Sequence, residues 1–565
     1  MNHYYLGIDV GTGSARATLV DRHGKVAASA TVETTTFRDT SDHRIFEQST
    51  DNIWAAISST IKSCLQTSQI SPDAVKGLGF DATCSLAVAD NDGNPIQVTR
   101  GDTLGQLGDR NIILWADHRA ESQADLINST GSIVLDYVGG TMSLEMEIPK
   151  VLWLKQHMDP ALFARCQFFD LPDFLTYRAT GDVTRSCCSL TCKCSYVPNK
   201  GWQGDFFKQI GLEDLVSNDY KQIGQKLLAA GIPVGNGLTK QAAEELGLIA
   251  GTPVGSGVID AYAGWLGTIA ARQTDTPTLS ESGHRLAAVA GTSTCHIVQS
   301  PTAVFVPGVW GPYKDAIFRG WWMNEGGQSS TGQLIDFILT THPAYPTLVE
   351  RGKEQGKNIF VILEELLSTL QTQEGVATPT ELLKDVHMYP DFHGNRSPTA
   401  DPRMRGSISG LALDSTLNDL ARKYYLTLES IALQTRHIVD SLNAAGHEIT
   451  SIYMSGGQAK NSRLMQLFAD TCGMPVVLPF DHAGAVVLGA AMLGRFAAEV
   501  EGEMDEKTSG EALWRIMVEM TQPGTLVAPN ASPKEKKLLE AKYKIFRETI
   551  ETQKRWRREM EEASA

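Results

Sequence analysis

Leu6-Gly7-Ile8-Asp9-Val10-Gly11-Thr12-Gly13-Ser14 runs on into Ala15-Arg16-Ala17-Thr18-Leu19-Val20. Two short apolar runs flank a turn of Gly, Thr and Ser, and Asp21-Arg22-His23-Gly24 turns the chain once more. This pattern predicts a β-hairpin whose tip bares N–H groups and hydroxyls, with one carboxylate, Asp9, at the strand end. Such a tip can receive a polyphosphate: glycines let the backbone approach, N–H groups and hydroxyls donate, and an acid can hold a metal's water shell. It is not a Walker loop, because no Gly-Lys-Ser/Thr follows and no helix opens there. An ordinary Gly-rich hairpin fits the same letters, so the stretch alone leaves both readings open.

The pattern returns half-way along the chain. Leu286-Ala287-Ala288-Val289-Ala290-Gly291-Thr292-Ser293-Thr294-Cys295-His296-Ile297-Val298 is again an apolar strand, a Gly-Thr tip and an apolar strand. Two domains that each start this way predict a duplicated architecture with a ligand clamped between the tips, which favours the phosphate reading of the first.

The 565 residues exceed the roughly 250–300 at which single cores stop growing, so two or more domains are expected. A net charge of −15 argues against a nucleic-acid-binding surface. The first strand begins almost at Met1, leaving no signal peptide, and no run of about 18 apolar residues suggests a membrane span. A cytosolic protein is expected, its nine cysteines reduced and mostly buried. Cys187, Cys188, Cys192 and Cys194 are too crowded for paired zinc knuckles, and no second pair completes them.

Between the tips, Thr50-Asp51 is read as capping a helix with Ile53, Trp54, Ile57, Ile61 and Leu65 on one face. The strand Val75–Asp81 breaks at Ala82-Thr83-Cys84-Ser85 and resumes at Leu86, which is either a ligand-facing corner or a hairpin. Ile112–Trp115 delivers Trp115, Asp117 and Arg119 together; they suit a sugar face and paired hydroxyls, or form a surface helix start with an Asp–Arg pair. Met146–His157 reads as a helix. Lys193, between two cysteines, is a partly buried ammonium facing a ligand or a solvated strand residue.

Gly251–Ile259 is an apolar strand ending in Asp260, followed by the small residues Ala261, Ala263, Gly264 and Gly267. The free space suits a general base, and the position also suits a helix N-cap. Trp321–Ser330 runs into a Gly-rich turn with Glu325 as a candidate hydroxyl ligand. A long helix is expected from Leu417 to Ala444. Ser451–Asn461 gives strand, paired glycines (Gly456, Gly457) and helix start, a place where a flat ring can lie against backbone. Gly484–Gly494 is a small-residue helix built for close helix–sheet packing. Past Glu501 the chain turns charged. Leu539, Tyr543, Phe546 and Ile550 mark the inner face of a helix up to about Arg558, packed on the body or on a second copy, with the last residues frayed.

Taken together, these residues resemble the FGGY family of carbohydrate kinases, ribulokinase branch and D-ribulokinase-like, within the actin/hexokinase/chaperone ATPase superfamily. The likeness covers roughly residues 4 to 497. Its markers are GIDVGTGSARATLVD (7–21), GFDATCSLAV (79–88), LWADHRA (114–120), KVLWL (150–154), GVIDAYAGW (257–265), AGTST (290–294), NEGGQSSTG (324–332), DFHGNRSP (391–398) and MSGGQAKN (454–461). Each is weak alone; nine in family order are specific. Three departures stand out: Cys194 where family members often carry Trp, Glu147 where many have a small hydroxyl residue or proline, and the segment after Gly410, which fits the second family signature imperfectly.

The resemblance implies an α/β fold of two duplicated actin/hexokinase-like (ribonuclease H-like) ATPase domains with an interdomain cleft. Residues 1–270 would bind sugar and phosphate, 271–500 nucleotide, and 501–565 would form a charged helical extension. Asp260 would be the catalytic base. Ala82, Thr83, Lys193, Glu325 and Asp260 would line the sugar pocket, with Trp115, Asp117 and Arg119 nearby. Asp9, Gly11, Thr12 and Ser14 would face the ATP phosphates, Asp9 holding Mg²⁺ through water. Gly291 and Thr292 would form the second phosphate loop, and Gly456, Gly457 and Asn461 would take adenosine. The implied partners are a small sugar and ATP, without nucleic acid or membrane, and a homodimer stays open.

The implied reaction moves the γ-phosphoryl of ATP to the terminal hydroxyl of a pentulose, D-ribulose first, with L-ribulose, D-xylulose or a pentitol such as ribitol as alternatives. Asp260 is expected to work at an ordinary carboxylate pKa, because the proton leaves late. Two rivals use the same fold: a chaperone- or actin-like ATPase switch, which needs no polar sugar pocket, and an inactive sugar sensor, which needs no intact phosphate tips.

Overall fold

Asp9 and Asp81 sit side by side because their strands pair in parallel register. The strands are β1 (Tyr4–Val10), β2 (Ser14–Asp21), β3 (Val26–Glu33), β4 (Val75–Ala82) and β5 (Val254–Ile259), in the spatial order β5-β4-β1-β2-β3. β1–β2 and β2–β3 are antiparallel, whereas β4 runs parallel to both β1 and β5. The computed structural model describes residues 3–271, 277–500 and 502–565. The boundary expected after residue 270 falls beside 272–276, and that at 501 on Glu501; 272–276 and 501 lie outside the described residues.

The described chain divides into two compact units. The first comprises Met1–Arg285, Ile297–Glu325 and Pro479–Gly524; the second comprises Leu286–His296, Gly326–Leu478 and Thr525–Ala565. This is the two-domain mixed α/β class expected from the sequence.

In the first unit, the helix Thr50–Ser68 lays Ile53, Trp54, Ile57 and Ile61 on the sheet residues Leu6, Ile8, Ala17 and Leu19, with Leu65 half-buried at its edge. Its N-cap is Ser49, one residue before the expected cap, and the Ser49 side chain accepts from the Asn52 N–H. The small-residue helix Ala485–Glu499 packs against β1, β4 and the helix Asp260–Ile269. A Cβ on Gly7 would fall inside the Val487 carbonyl, and one on Gly489 inside that of Ala263. The glycines set this packing distance.

Leu86–Ala89 is not the return arm of a hairpin with β4. It joins a second five-stranded sheet, between Ile112–Ile113 and Gln167–Asp170. The 82–85 stretch is therefore a corner between sheets. The cysteine-rich segment, one of whose readings was a strand, is a helix, Cys187–Lys193, capped by the Ser186 hydroxyl. All nine cysteines are free thiols, six of them buried.

The hairpin strand Arg285–Ala290, all but its first residue in the second unit, lies next to Ser451–Ser455, followed by Val476–Leu478 and Thr525–Val527. The helix Leu417–Ala444 has the expected limits, with Thr416 capping Asp419. The C-terminal helix, Pro533–Ser564, runs beyond Arg558 instead of fraying there. Its Tyr543, Phe546 and Ile550 pack with Tyr389, Met404 and Leu433, so its apolar stripe is covered within this chain. Among the described residues no helix is long and apolar enough to cross a membrane.

Candidate functional site

Three acids converge at the C-terminal ends of β1, β4 and β5. Asp81 lies opposite Asp9 on one side and Val258 on the other, so the middle strand carries the middle carboxylate and Asp260 follows β5 directly. Asp81 is fully buried, and its carboxyl shares a hydrogen bond with that of Asp9. Burial, the charge of Asp9 and then that of Asp260 hold its carboxyl well above the usual range. Asp9 is also raised by burial, against the pull of Arg16 across the β1–β2 pair.

Asp260 opens the helix Asp260–Ile269 at its first residue, with Ile259 as N-cap, and its Oδ1 accepts the Ala261 N–H at 2.7 Å. Burial and the nearby Asp9 push its carboxyl up to about 7, with the Ala261 N–H and Lys193 pulling the other way. The ordinary carboxylate pKa expected from the sequence is thus corrected: the site is too dry, and too close to a second acid, to leave one.

Lys193, at the C-terminal end of its helix, is buried (1% exposed) and lies 3.7 Å from the Glu325 carboxylate. Its ammonium sits 4.1 Å from the centre of the Trp310 ring. Glu325 comes from the strand Trp322–Gln328, which carries through Gly326 and Gly327 before turning. Behind Lys193, Asp170 takes the Ser189 hydroxyl at 2.6 Å and the Leu171 N–H at 3.1 Å, while burial pushes its carboxyl up to about 7. Glu147, which departs from the family pattern, is buried there as well and raised well above the carboxylate range by burial, against the attraction of Lys150.

The tip and the corner adjoin. Thr83 N donates to Val10 O at 3.0 Å, the Thr83 and Ser85 hydroxyls are 3.1 Å apart, and Ser85 accepts the Trp115 N–H at 3.1 Å. Ala82 ends β4 beside them. Gly11 N closes the tip on Ser14 O at 3.0 Å. Asp117 and Arg119 are used differently. Both are buried, and the Arg119 guanidinium is shared between Asp117 (2.7 Å), Glu47 (2.9 Å) and the Val98 carbonyl (2.9 Å). The pair anchors its own segment, as the helix-start reading had it, although it lies inside the protein and not on its surface.

In the second unit, Gln458 gathers the nucleotide candidates. Its Nε2 donates to Gly291 O at 2.8 Å and to the Thr331 hydroxyl at 2.6 Å, and Thr331 N donates to Thr292 O at 3.0 Å. Gly456 has φ of 90° and lies so close to the Ala290 carbonyl that no side chain fits. Gly457 follows it into a short 3₁₀ turn. Asn461 caps the helix Ser462–Cys472 through the Leu464 N–H (3.1 Å) and donates to the Tyr424 hydroxyl at 2.8 Å. The structure thus brings Gly291, Thr292, Gly456 and Gly457 to one place, while the Asn461 side chain serves the helix.

Sequence reasoning missed Asp81, Asp170, Gln458 and Thr331. For Asp81 a cue existed: it ends an apolar strand, as Asp9 does. An all-oxygen, anionic donor set fits a hard cation such as Mg²⁺, which keeps several waters and uses one or two carboxylates. Among the described residues no three His, Cys, Asp or Glu are grouped as a closed metal cage.

The fold of these units is that of solved sugar kinases. A xylulose kinase from Rhodospirillum rubrum matches with a TM-score of 0.75 at 19% identity, over 98% of this chain and 99% of that one. A glycerol kinase from Plasmodium falciparum matches with a TM-score of 0.72 at 15% identity, over 97% and 98%. The chain belongs to the FGGY family of carbohydrate kinases: the family's N-terminal domain matches residues 4–267 and its C-terminal domain residues 286–498. It is 43% identical to the human FGGY carbohydrate kinase domain-containing protein, over 98% of this chain and 97% of that protein. It is also 42% identical to a D-ribulokinase of Saccharomyces cerevisiae, over 88% of this chain and 72% of that protein. The chain is an ATP-dependent sugar kinase.

Proposed function

We propose that the chain phosphorylates the terminal hydroxyl of D-ribulose, giving D-ribulose 5-phosphate and ADP. The observation that carries this reading is the set of half-buried Asp260 with buried Lys193 and Glu325 within the first unit. A carboxylate raised toward neutrality stands near a fixed cation–carboxylate pair suited to polyol hydroxyls. The 42% identity to a D-ribulokinase supports D-ribulose as the sugar.

Asp260 orients the attacking hydroxyl and takes its proton as the new O–P bond forms and the bond to the leaving ADP oxygen breaks. Lys193 and Glu325 hold the other hydroxyls, with Ala82 and Thr83 at the corner and Trp115 beside it. Thr12, Ser14 and the N–H groups around Gly11 receive phosphate oxygens on this unit. Gly291 and Thr292 do so on the second unit, where Gly456 and Gly457 give adenosine a flat backbone surface. Asp9 would hold Mg²⁺ through water, which when bound neutralises β- and γ-phosphate oxygens. Asp117 and Arg119 act by fixing the Trp115 segment. Residues 1–270, 271–500 and 501–565 remain our division into sugar-and-phosphate, nucleotide and extension regions, and we place the enzyme in the cytosol.

The test is a panel of pentuloses, hexuloses and polyols ranked by kcat/KM in an ADP-coupled assay. D-ribulose should lead by at least about ten-fold, the usual yield of one well-placed polar contact. A higher value for L-ribulose, D-xylulose or ribitol overturns the substrate, and no transfer to any sugar overturns the reaction. Asp260→Ala should lose nearly all turnover while keeping sugar affinity; retention of more than a few per cent of the rate would remove its role as base.

A further inference from the structure

We propose that Trp115 is a positioning residue that aims the Thr12 hydroxyl at a bound phosphate, coupling the sugar-side corner to the phosphate-receiving tip. Its ligands rest on the function proposed above. The Trp115 indole N–H donates to Thr12 Oγ1 at 3.0 Å, between residues 103 positions apart. An indole N–H can only donate, whereas a hydroxyl has one proton and two lone pairs. By accepting from the indole, Thr12 turns its own proton elsewhere. Thr12 is exposed, and its hydroxyl makes no other hydrogen bond among the described residues. The proton is free to meet an anion at the open tip.

Both ends of this contact are fixed. The Thr12 carbonyl accepts from Gln48 Nε2 at 2.8 Å and from the Thr36 hydroxyl at 3.2 Å, so the tip cannot easily rotate away. At the other end the Trp115 backbone N–H is bound to Ser85, next to Thr83, while Asp117 and Arg119 hold the residues just after it. Since that ion-pair network anchors the segment without help, the indole N–H is not needed for folding. A residue bonded to the corner through its backbone and to the tip through its indole transmits occupancy of one to the donor geometry of the other.

The experiment is a double-mutant cycle on the full-length chain with Mg²⁺ and the β,γ-imido analogue of ATP, without sugar, read by calorimetry. Trp115→Phe keeps the ring and removes the N–H; Thr12→Val removes the hydroxyl at an exposed position where folding is not at stake. Each should weaken analogue binding about ten-fold, the scale of a hydrogen bond to a charged group. The double variant should be no weaker than the poorer single one, and Thr12→Ser should restore affinity. With D-ribulose present, Trp115→Phe should also lower the ratio of phosphoryl transfer to bare ATP hydrolysis about ten-fold, with the sugar KM little changed. Unchanged binding in Trp115→Phe, or losses that simply add, overturns the coupling. Intact coupling in a chain that phosphorylates no sugar would sink the functional proposal alone. Turnover of D-ribulose with additive losses would sink this inference alone, and a wild-type chain that does not bind the analogue would sink both.

Discussion

Asp260 shows what an acid in a poorly hydrated site costs the fold. Its folded-state carboxyl sits at about 7, against 3.8 for the free side chain. The folded chain therefore holds this proton more tightly than the unfolded chain does. The stabilisation is complete below about pH 4, falls away as pH rises toward 7, and is gone above it. Carrying the charge at pH 8 costs on the order of a few kcal/mol. Asp260→Asn should accordingly raise the thermal midpoint of unfolding by several degrees at pH 8 and leave it unchanged at pH 4, both without ligands. Equal midpoints for variant and wild type at pH 8 would mean that the Ala261 N–H and Lys193 offset the charge in full. The same shift predicts that kcat/KM for the sugar climbs with pH through about 7 and then levels off, because the base must be ionised.

At the scale of single elements, the C-terminal helix is tied to the second unit by one buried charge. Lys542 lies 2.8 Å from Glu429 and donates to the carbonyls of Leu383 (2.7 Å) and Val386 (2.9 Å). Lys542→Ala strands the Glu429 carboxylate in an apolar site and should cost about 3–5 kcal/mol in denaturant unfolding. Replacing both partners with Met and Leu should recover most of that loss; failure to recover would show that the carbonyl contacts dominate. This helix was readable in the sequence, as were Leu417–Ala444 and the face of Thr50–Ser68. Their apolar spacing and caps are local, and local patterns survive without knowledge of the fold. The helix Cys187–Lys193 was not, since Cys and Thr favour helix weakly and its stability comes from burial and the Ser186 cap. Asp81 stayed hidden for a related reason. Its meaning arises only when β4 pairs with β1 and β5, a contact between strands about 70 and about 180 residues away, and periodicity carries no such distance. The fate of Asp117 and Arg119 likewise depended on Glu47, a partner from another strand.

On the scale of the whole molecule, the units interleave along the chain. The first needs Ile297–Glu325 and Pro479–Gly524 in addition to its N-terminal portion. A fragment ending at Arg285 would lack Glu325, Trp310 and the helix Ala485–Glu499, leaving the glycine-lined faces of β1 and β4 bare. Such a fragment should be insoluble or molten, binding a hydrophobic dye without a cooperative thermal transition. A sharp transition from that fragment would show that the helix is dispensable to the sheet.

The helix seated on those glycines also sets a timetable for the newborn protein. β4 ends at Ala82 and its covering helix begins at Ala485, so at about 5–20 residues per second the ribosome leaves the sheet face uncovered for roughly 20–80 s. The N-terminal half must wait through that interval, and any chaperone that protects it should engage nascent chains shorter than the full message and let go once the late helix emerges.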